Sequence, residues 1–462
     1  MNIVFIGCSS MGPRYIMGLL KRHGHSCHGI YQGIDYLIGE RQASGFNPPL
    51  SLDELESLNP DIVGFSACTF DFEDQLVMAM AVKKRLPSIL IYFGGVHPSI
   101  LPEEVIKHHA VDILCCGEGE YPSLELCQKI EAGKDITSIP NLWIKQGGEV
   151  FRNLPRNWIQ DLDSLDMDRE GLSYLGIFTG RGCTGDCYFC NAPVLKRIGA
   201  RGKFFRKRSV KKVLDEIDWI VTRDPAFCRL AHQANGNLDL QPTIRIKDDT
   251  FLADKAWFLE FAQRFSQSFP QLQYICQARA DEIDEEVTHH LADSGCRMIS
   301  MGIECGDDKM RIEVLNKSVT SEQIRRAIQL VRNTGIEVLG QWVIGFPGET
   351  IEQMIKTLKL HLELEDIPQV HIATPFPKTR MHKMAIDMGH ISESFRPTTS
   401  LYDDFIFHKG SEKNVLRMIY NMFPVASLAV PEDLRDISFN ERGEIYKGHN
   451  TVGNILLHGI IE

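Results

Sequence analysis

The sequence predicts an α/β protein: an N-terminal doubly wound domain, then a partial (β/α)6 barrel, then a small C-terminal domain. Three observations predict it. From residue 1 to about 130, short near-continuous apolar runs alternate with helical stretches. Strands buried on both faces of a parallel sheet read this way. Over 136–170 the alternation lapses into a Gly147-Gly148 turn, several prolines and an acidic run, DLDSLDMD. It then resumes between 171 and about 376 as six strand–helix units, an open barrel short of the usual eight. The expected boundaries are 1–135, a linker at 136–170, a barrel at 171–390, and 391–462.

Taken in order, NIVFIG reads as a strand and Met11–His23 as a helix. Asp61–Ala67, Ile89–Gly94 and Asp112–Cys116 are further strands, followed by helices at Glu73–Arg85, near Pro102 and at Pro122–Ala132. Their carboxyl-end turns read Ser66-Ala-Cys-Thr69, Gly94-Gly95-Val96-His97-Pro98 and Gly117-Glu118-Gly119-Glu120. Glycine there lets backbone approach a ligand closely, and in doubly wound sheets the ligand crevice lies beyond these ends. In the barrel, strands are expected at Leu172–Gly180, Thr243–Ile246, Gln273–Ala278, Arg297–Ile303, Glu337–Ile344 and Gln369–Thr374. The helices between them are Ser209–Thr222, Ala253–Gln267, Glu285–Ser294, Ser321–Thr334 and Ile351–Leu364. Arg223–Leu240 reads as a long polar loop, a lid or an insertion.

The 462 residues are 43% hydrophobic and 24% charged, enough apolar content for a sizeable core. A net charge of −11 argues against non-specific nucleic-acid binding, which needs basic surface to displace counterions. The basic run Lys203–Lys212 is the local exception, read as a solvated loop and helix start. No apolar run reaches the ~20 residues of a membrane helix, and MNIVFIG lacks the basic flank of a leader, so a cytoplasmic protein is expected. Thirteen cysteines in a long chain without a leader do not suggest a disulfide framework.

Three of those cysteines stand apart. Cys183-Thr-Gly-Asp-Cys187-Tyr-Phe-Cys190 follows the first barrel strand with CxxxCxxC spacing. Structural zinc takes four ligands, usually from two separated pairs, and no second pair is present; zinc completed by a distant histidine is the alternative. A [4Fe–4S] cluster has four irons, so three thiolates leave one iron open to substrate or cofactor.

This loop resembles the cluster motif of the radical S-adenosylmethionine superfamily, on a TIM-type partial barrel. The resemblance implies that Cys183, Cys187 and Cys190 hold the cluster and that S-adenosylmethionine binds the open iron. It further implies, residue by residue, that Phe189 meets the adenine and that Asp248 and Asp249 receive the methionyl ammonium. Arg279 would meet the methionyl carboxylate, Glu304 in Gly302-Ile-Glu304-Cys-Gly306 the ribose, and Gln341 and Val343 the adenine side. The spacing around Gln341–Glu349 departs from the family's commonest form. The N-terminal domain resembles the Rossmann-like cobalamin-binding domain fused to a large branch of that superfamily. Cobalamin would then be surrounded by Ser66, Thr69, Gly94, Gly95, Val96, His97, Gly117, Glu118 and Gly119. Many cobalamin proteins carry Asp-x-His-x-x-Gly after the first strand, and here the stretch is Gly7-Cys-Ser-Ser-Met-Gly12. His23, His25 and His28 have the wrong spacing and are expected on a helix end and turn, so no histidine ligand to cobalt is expected.

The resemblance implies a cobalamin-dependent radical enzyme, first of all a C-methyltransferase. The alternatives are oxidative cyclisation, ring rearrangement or carbon–carbon bond formation on the same architecture, and, from another class, a corrinoid or iron–sulfur sensor or carrier. A small-molecule or peptide substrate and an external electron donor such as flavodoxin or ferredoxin are implied as partners.

Overall fold

A computed structural model describes residues 1–6, 11–30, 52–169, 176–199, 201–234, 243–364, 366–397 and 406–426, with two short strands at Ser438–Phe439 and Ile445–Tyr446. The chain forms two compact units. One comprises Met1–Leu175, Asn191–Leu240 and Arg396–Thr399; the other comprises Gly176–Cys190, Gln241–Phe395 and Ser400–Glu462.

The first unit runs β1 (Asn2–Ile6), α1 (Gly12–Arg22), β2 (Ser26–Ile30), α2 (Leu52–Ser57), β3 (Ile62–Ser66), α3 (Phe72–Arg85), β4 (Leu90–Gly94), α4 (Val96–Ile100), α5 (Pro102–Lys107), β5 (Ile113–Cys115) and α6 (Glu120–Glu131). The hairpin expected at the Gly147-Gly148 turn forms as β6 (Leu142–Gln146) and β7 (Glu149–Arg152), and it continues the sheet. The sheet order is β2-β1-β3-β4-β5-β6-β7. The first five strands are parallel and the last two antiparallel.

The apolar runs of β1, β3 and β4 are continuous because both faces are covered. Val4, Val63, Ile91 and Phe93 enter one core, and Ile3, Phe5, Ile62 and Tyr92 enter the other. Strand order reverses between β1 and β3, the place where doubly wound sheets open a ligand crevice.

The structure corrects two expectations here. His28 lies on an edge strand, β2, rather than a turn. Arg223–Leu240 is not a polar loop over its described part: after β8 (Gly180–Arg181), α7 (Ala192–Lys196), β9 (Arg206–Lys207) and α8 (Val210–Arg223), residues Pro225–Ala234 form helix α9. The buried Asp224 carboxylate accepts from Phe227 N at 2.9 Å and caps that helix, with proline in its first position.

The second unit is a partial barrel. Its sheet, β10 (Ile244–Arg245), β11 (Tyr274–Ala278), β12 (Cys296–Glu304), β13 (Glu337–Ile344) and β14 (Ile367–Ile372), is parallel throughout and in chain order. The expected first strand contributes one parallel bridge, Ile177 to Ile246; residues 171–175 lie outside the described residues. Helices α10 (Lys255–Ser268), α11 (Glu285–Asp293), α12 (Ser321–Arg332) and α13 (Ile351–Leu364) alternate with the strands, and α14 (Arg380–Asp387) and α15 (Ser411–Ala426) follow. Asp254, Asp284 and Thr320 cap α10, α11 and α12 by accepting from backbone N–H groups. One sheet face is buried through Tyr274, Cys276, Ile299, Met301, Ile303, Val338, Trp342 and Ile344.

Candidate functional site: a three-thiol loop and a glycine-turned sheet edge

The thiol loop belongs to the second unit and leaves the first barrel strand at its carboxyl end. Gly185 sits between two thiols. A Cβ added there would meet the Cys183 and Cys187 Sγ atoms at 3.5 and 3.7 Å and an Arg279 guanidinium nitrogen at 3.2 Å. Gly185 N donates to Cys183 Sγ at 3.3 Å, and Cys190 N donates to Cys187 O at 3.2 Å. All three cysteines are half-buried, whereas Cys27, Cys115, Cys116, Cys127, Cys276, Cys296 and Cys305 are buried. The loop is anchored from behind: Tyr188 N donates to Leu315 O, Met381 N to Tyr188 O, and Asn316 Nδ2 to Asp186 O. Arg380 lies 4.3 Å over the Tyr188 ring and donates to its hydroxyl at 2.7 Å. Phe189 packs at a tilt on Phe346, ring centroids 6.0 Å apart.

Ionised groups from the neighbouring strand ends face this loop. Burial pushes the Cys187 thiol up, while Lys317 and Arg279 pull it down and Glu304 and Cys183 push it up. Glu304 ends β12 in the left-handed region, φ 66°, a conformation that costs a non-glycine residue and gathers at functional sites. Lys317 Nζ donates to Glu304 Oε1 and to Gly302 O, both at 2.7 Å, and both residues of the pair are nearly excluded from solvent. Buried Arg311 organises the segment that delivers Lys317, donating to the carbonyls of Val319 at 2.6 Å and of Cys305. Arg279 is held to Asp281 by two 2.9 Å hydrogen bonds, which raise its pKa further.

Among the expected cofactor contacts, the structure brings Arg279 and Glu304 into the surroundings of Cys187. Phe189 lies on the loop itself. Asp248 is buried and accepts from Thr179 N at 2.6 Å and Thr179 Oγ1 at 2.5 Å, tying the first strand to the end of β10. Its neighbour Asp249 is exposed. The Gln341 amide bonds to Ser300, Gln369 and His371, on the same β13 face as half-buried Val343. Lys317 had no local mark in the sequence; only folding shows its partner.

The thiol loop fits a cluster. Thiolates are soft donors suited to iron–sulfur centres, and the glycine leaves the space between two of them open. Among the described residues, no group of three or more His, Cys, Asp or Glu side chains is gathered closely enough for a single ion. A cluster that offers each thiolate its own iron does not require that.

In the first unit, the three expected turns stand side by side because β3, β4 and β5 are neighbours. Gly95 has φ 102°, and a Cβ there would lie 2.7 Å from Ala67 O. Gly94 faces open space, and Val96, half-buried, begins α4. Gly117 has φ 88° and donates its N–H to Ser99 Oγ at 2.9 Å. Ser66 O accepts from Gln75 Nε2 at 3.0 Å. Glu118 turns its carboxylate onto Ile159 N at 2.7 Å and Arg206 at 3.0 Å, and a Cβ on Gly119 would lie 2.9 Å from the Ile16 Cδ1 methyl. His97 is buried, stacked on Phe72 at 4.2 Å and 3.4 Å from Thr69 Oγ1. Its Nε2 has no hydrogen-bond partner among the described residues, and burial lowers its pKa to about 4. A buried polar atom without a partner beside a glycine-turned sheet edge fits a bound polar cofactor. Most of Gly7–Gly12 lies outside the described residues. In the basic run, Arg206 and Arg208 are buried on Glu118 and Glu216, and Lys212 pairs with Asp166 at 2.6 Å.

Family models cover the two regions in which these residues lie. The Radical SAM superfamily model matches residues 177–361, and the B12 binding domain model matches residues 8–126. The chain is a radical SAM enzyme with an N-terminal B12-binding domain, and its cofactors are a [4Fe–4S] cluster, S-adenosylmethionine and cobalamin. It is 28% identical over 345 residues to an uncharacterized methyltransferase of Pyrococcus horikoshii, spanning 72% of this chain and 71% of that one. It is 27% identical over 403 residues to the anaerobic magnesium-protoporphyrin IX monomethyl ester cyclase of Cereibacter sphaeroides, covering 82% of this chain but 60% of the cyclase. Among solved structures, the radical S-adenosylmethionine methyltransferase TsrM from Kitasatospora setae shares the fold, with a TM-score of 0.63 and 16% identity over 88% of this chain and 81% of that one. No helix among the described residues is long and apolar enough to cross a membrane.

Proposed function

We propose that this chain is a cobalamin-dependent radical methyltransferase acting on an unactivated carbon. When bound, the cluster and S-adenosylmethionine supply a radical that abstracts hydrogen, and cobalamin supplies the methyl group. The observation that carries this reading is the pairing, in one chain, of a half-buried three-thiol loop with a glycine-turned B12-type sheet edge. The methyltransferase names among the relatives support methylation over the other outcomes.

Cys183, Cys187 and Cys190 would hold the cluster. Arg279 and the Lys317–Glu304 pair, from the adjoining strand ends, would orient the methionyl and ribose groups of S-adenosylmethionine, with Asp248 and Asp249 near the ammonium. Phe189, seated on Phe346, would present backbone to the adenine, beside Gln341 and Val343. Ser66, Thr69, Gly94, Gly95, Val96, His97, Gly117, Glu118 and Gly119 line the edge proposed for cobalamin, where the glycines permit close backbone approach. No histidine is proposed as a cobalt ligand. His28 is bonded to Ser26 on an edge strand, and His25 is buried against the N-terminus.

The likeness to the cyclase, over 82% of this chain, favours one second reading, a non-methylating radical reaction. Product analysis separates the two. A methyltransferase forms S-adenosylhomocysteine alongside 5′-deoxyadenosine and a methylated product, whereas a cyclase forms 5′-deoxyadenosine without methyl transfer.

A further inference from the structure

The helices cover one face of the barrel sheet, and the other carries a row of neutral polar side chains. The strand register places Gln277 beside Ser300, Gly302 beside Gln341, Gln341 beside Gln369, and Val343 beside His371. Register partners in a parallel sheet share a face, and residues two apart on a strand do too. Gln277, Ser300, Gln341, Gln369 and His371 therefore line one face across four adjacent strands. All five are half-buried or exposed, while the residues alternating with them on β11, β12 and β13 are buried.

Their hydrogen bonds assign donors and acceptors. Gln341 Nε2 donates to Ser300 Oγ at 2.9 Å and to Gln369 Oε1 at 2.7 Å, which uses both of its hydrogens. Gln341 Oε1 then accepts, and His371 Nε2 donates to it at 3.2 Å. Gln341 is the hub, with its amide spent inside the row. Gln369 gives only its oxygen to these bonds, so its amide nitrogen keeps two donors, and the Ser300 hydroxyl keeps one. Gln277, exposed at the β11 end, carries both a donor and an acceptor.

We propose that this face is the substrate-recognition surface, and that it takes a neutral group of the amide or hydroxyl kind rather than a carboxylate or phosphate. The proposal rests on the radical-enzyme reading above. A buried anion needs a paired cation or several charge-assisted donors, and this row offers none. The nearest cations, Lys317 at Gly302 O and Arg279 two residues beyond Gln277, are already paired with Glu304 and Asp281, and Arg245 and Lys247 on the β10 side also have partners. A neutral amide instead finds donors at Gln369 and Ser300 and an acceptor at Gln277. The row also approaches the proposed S-adenosylmethionine site: burial lowers the pKa of His371, and Glu304, at the Cys187 end, raises it.

The test uses the reconstituted holoenzyme under anaerobic conditions, with benzamide and benzoate as probes of one shape and two charges, titrated by ligand-observed NMR. The wild type should bind benzamide about fivefold more tightly, the ratio expected from one hydrogen bond of net value. Gln369→Leu should remove that preference. Gln369→Arg, at an exposed position that tolerates the change, should reverse it. A wild type that prefers benzoate or binds neither probe overturns the proposal, as does a preference that survives Gln369→Leu. S-adenosylmethionine uptake, read as a change in the cluster's electron paramagnetic resonance spectrum, is measured in the same wild-type samples. If uptake is absent, the radical-enzyme reading fails, whatever the probes show.

Discussion

The two sites sit at carboxyl ends of parallel strands, yet they present opposite kinds of surface. In the barrel unit, the thiol loop offers side chains: three half-buried cysteines with ionised Arg279, Glu304 and Lys317 around them. In the N-terminal unit, the turns largely spend their side chains on the protein itself. Glu118 is tied to Arg206 and Ile159, so apart from His97 Nε2, unpartnered among the described residues, backbone and glycine are what the edge presents. A group held through metal–sulfur bonds needs particular atoms at a particular spacing. One held by shape and backbone contacts needs room and conformation.

The largest effects should come from breaking the side-chain site. Cys183→Ala, Cys187→Ala or Cys190→Ala should each abolish cluster absorbance and lower S-adenosylmethionine cleavage by on the order of 10³-fold, to background. Lys317→Met leaves the Glu304 carboxylate buried without its cation. Removing one partner of a buried pair costs on the order of 3 kcal/mol, readable by urea denaturation, and Lys317→Arg should recover part of it.

Glu349 tests the frame behind the same site. It is buried in the turn after β13 and accepts from Gly345 N at 2.7 Å and Phe346 N at 3.0 Å, so it fixes the ring on which Phe189 rests. Burial pushes its carboxyl from the ordinary 4.5 up to about 7, against the pull of those two N–H groups. A folded pKa above the unfolded value means stability that is full below the unfolded pKa and lost as pH rises through the folded one. Wild type should therefore lose on the order of 3 kcal/mol between about pH 4.5 and 8 relative to Glu349→Gln, measured by urea denaturation at several pH values. A gap that does not change with pH would contradict this.

The smallest effect expected belongs to the backbone site. Gly95→Ala must hold an alanine at φ 102° with its Cβ against Ala67 O, a strain of about 1–3 kcal/mol. Corrin retained after desalting should fall severalfold while cluster content stays at the wild-type level. Equal losses of both would erase the contrast between the sites.

The same contrast explains what could be read from sequence. Continuous apolar strands such as β3 and β4 and amphipathic helices such as α12 were legible because burial writes its period into the chain. The cysteine loop was legible because its chemistry is local. Edge strand β2 was not, since Ser26 and His28 face solvent and leave only Cys27 as a buried mark. Helix α9 had a legible start in Asp224-Pro225, a cap followed by proline, which the polar composition of the segment obscured. Lys317 and the Ser300–Gln341–Gln369–His371 row were invisible, because their partners lie on other strands and only register brings them together.

The most direct test of the central claim is anaerobic reconstitution of the wild type with iron, sulfide and hydroxocobalamin, followed by an ultraviolet–visible spectrum and product analysis with S-adenosylmethionine and a reductant. The account expects cluster absorbance, corrin bands that stay with the protein after desalting, and 5′-deoxyadenosine formation that each of the three cysteine variants loses. A protein that takes up no cluster, or that holds one and does not cleave S-adenosylmethionine, would contradict it.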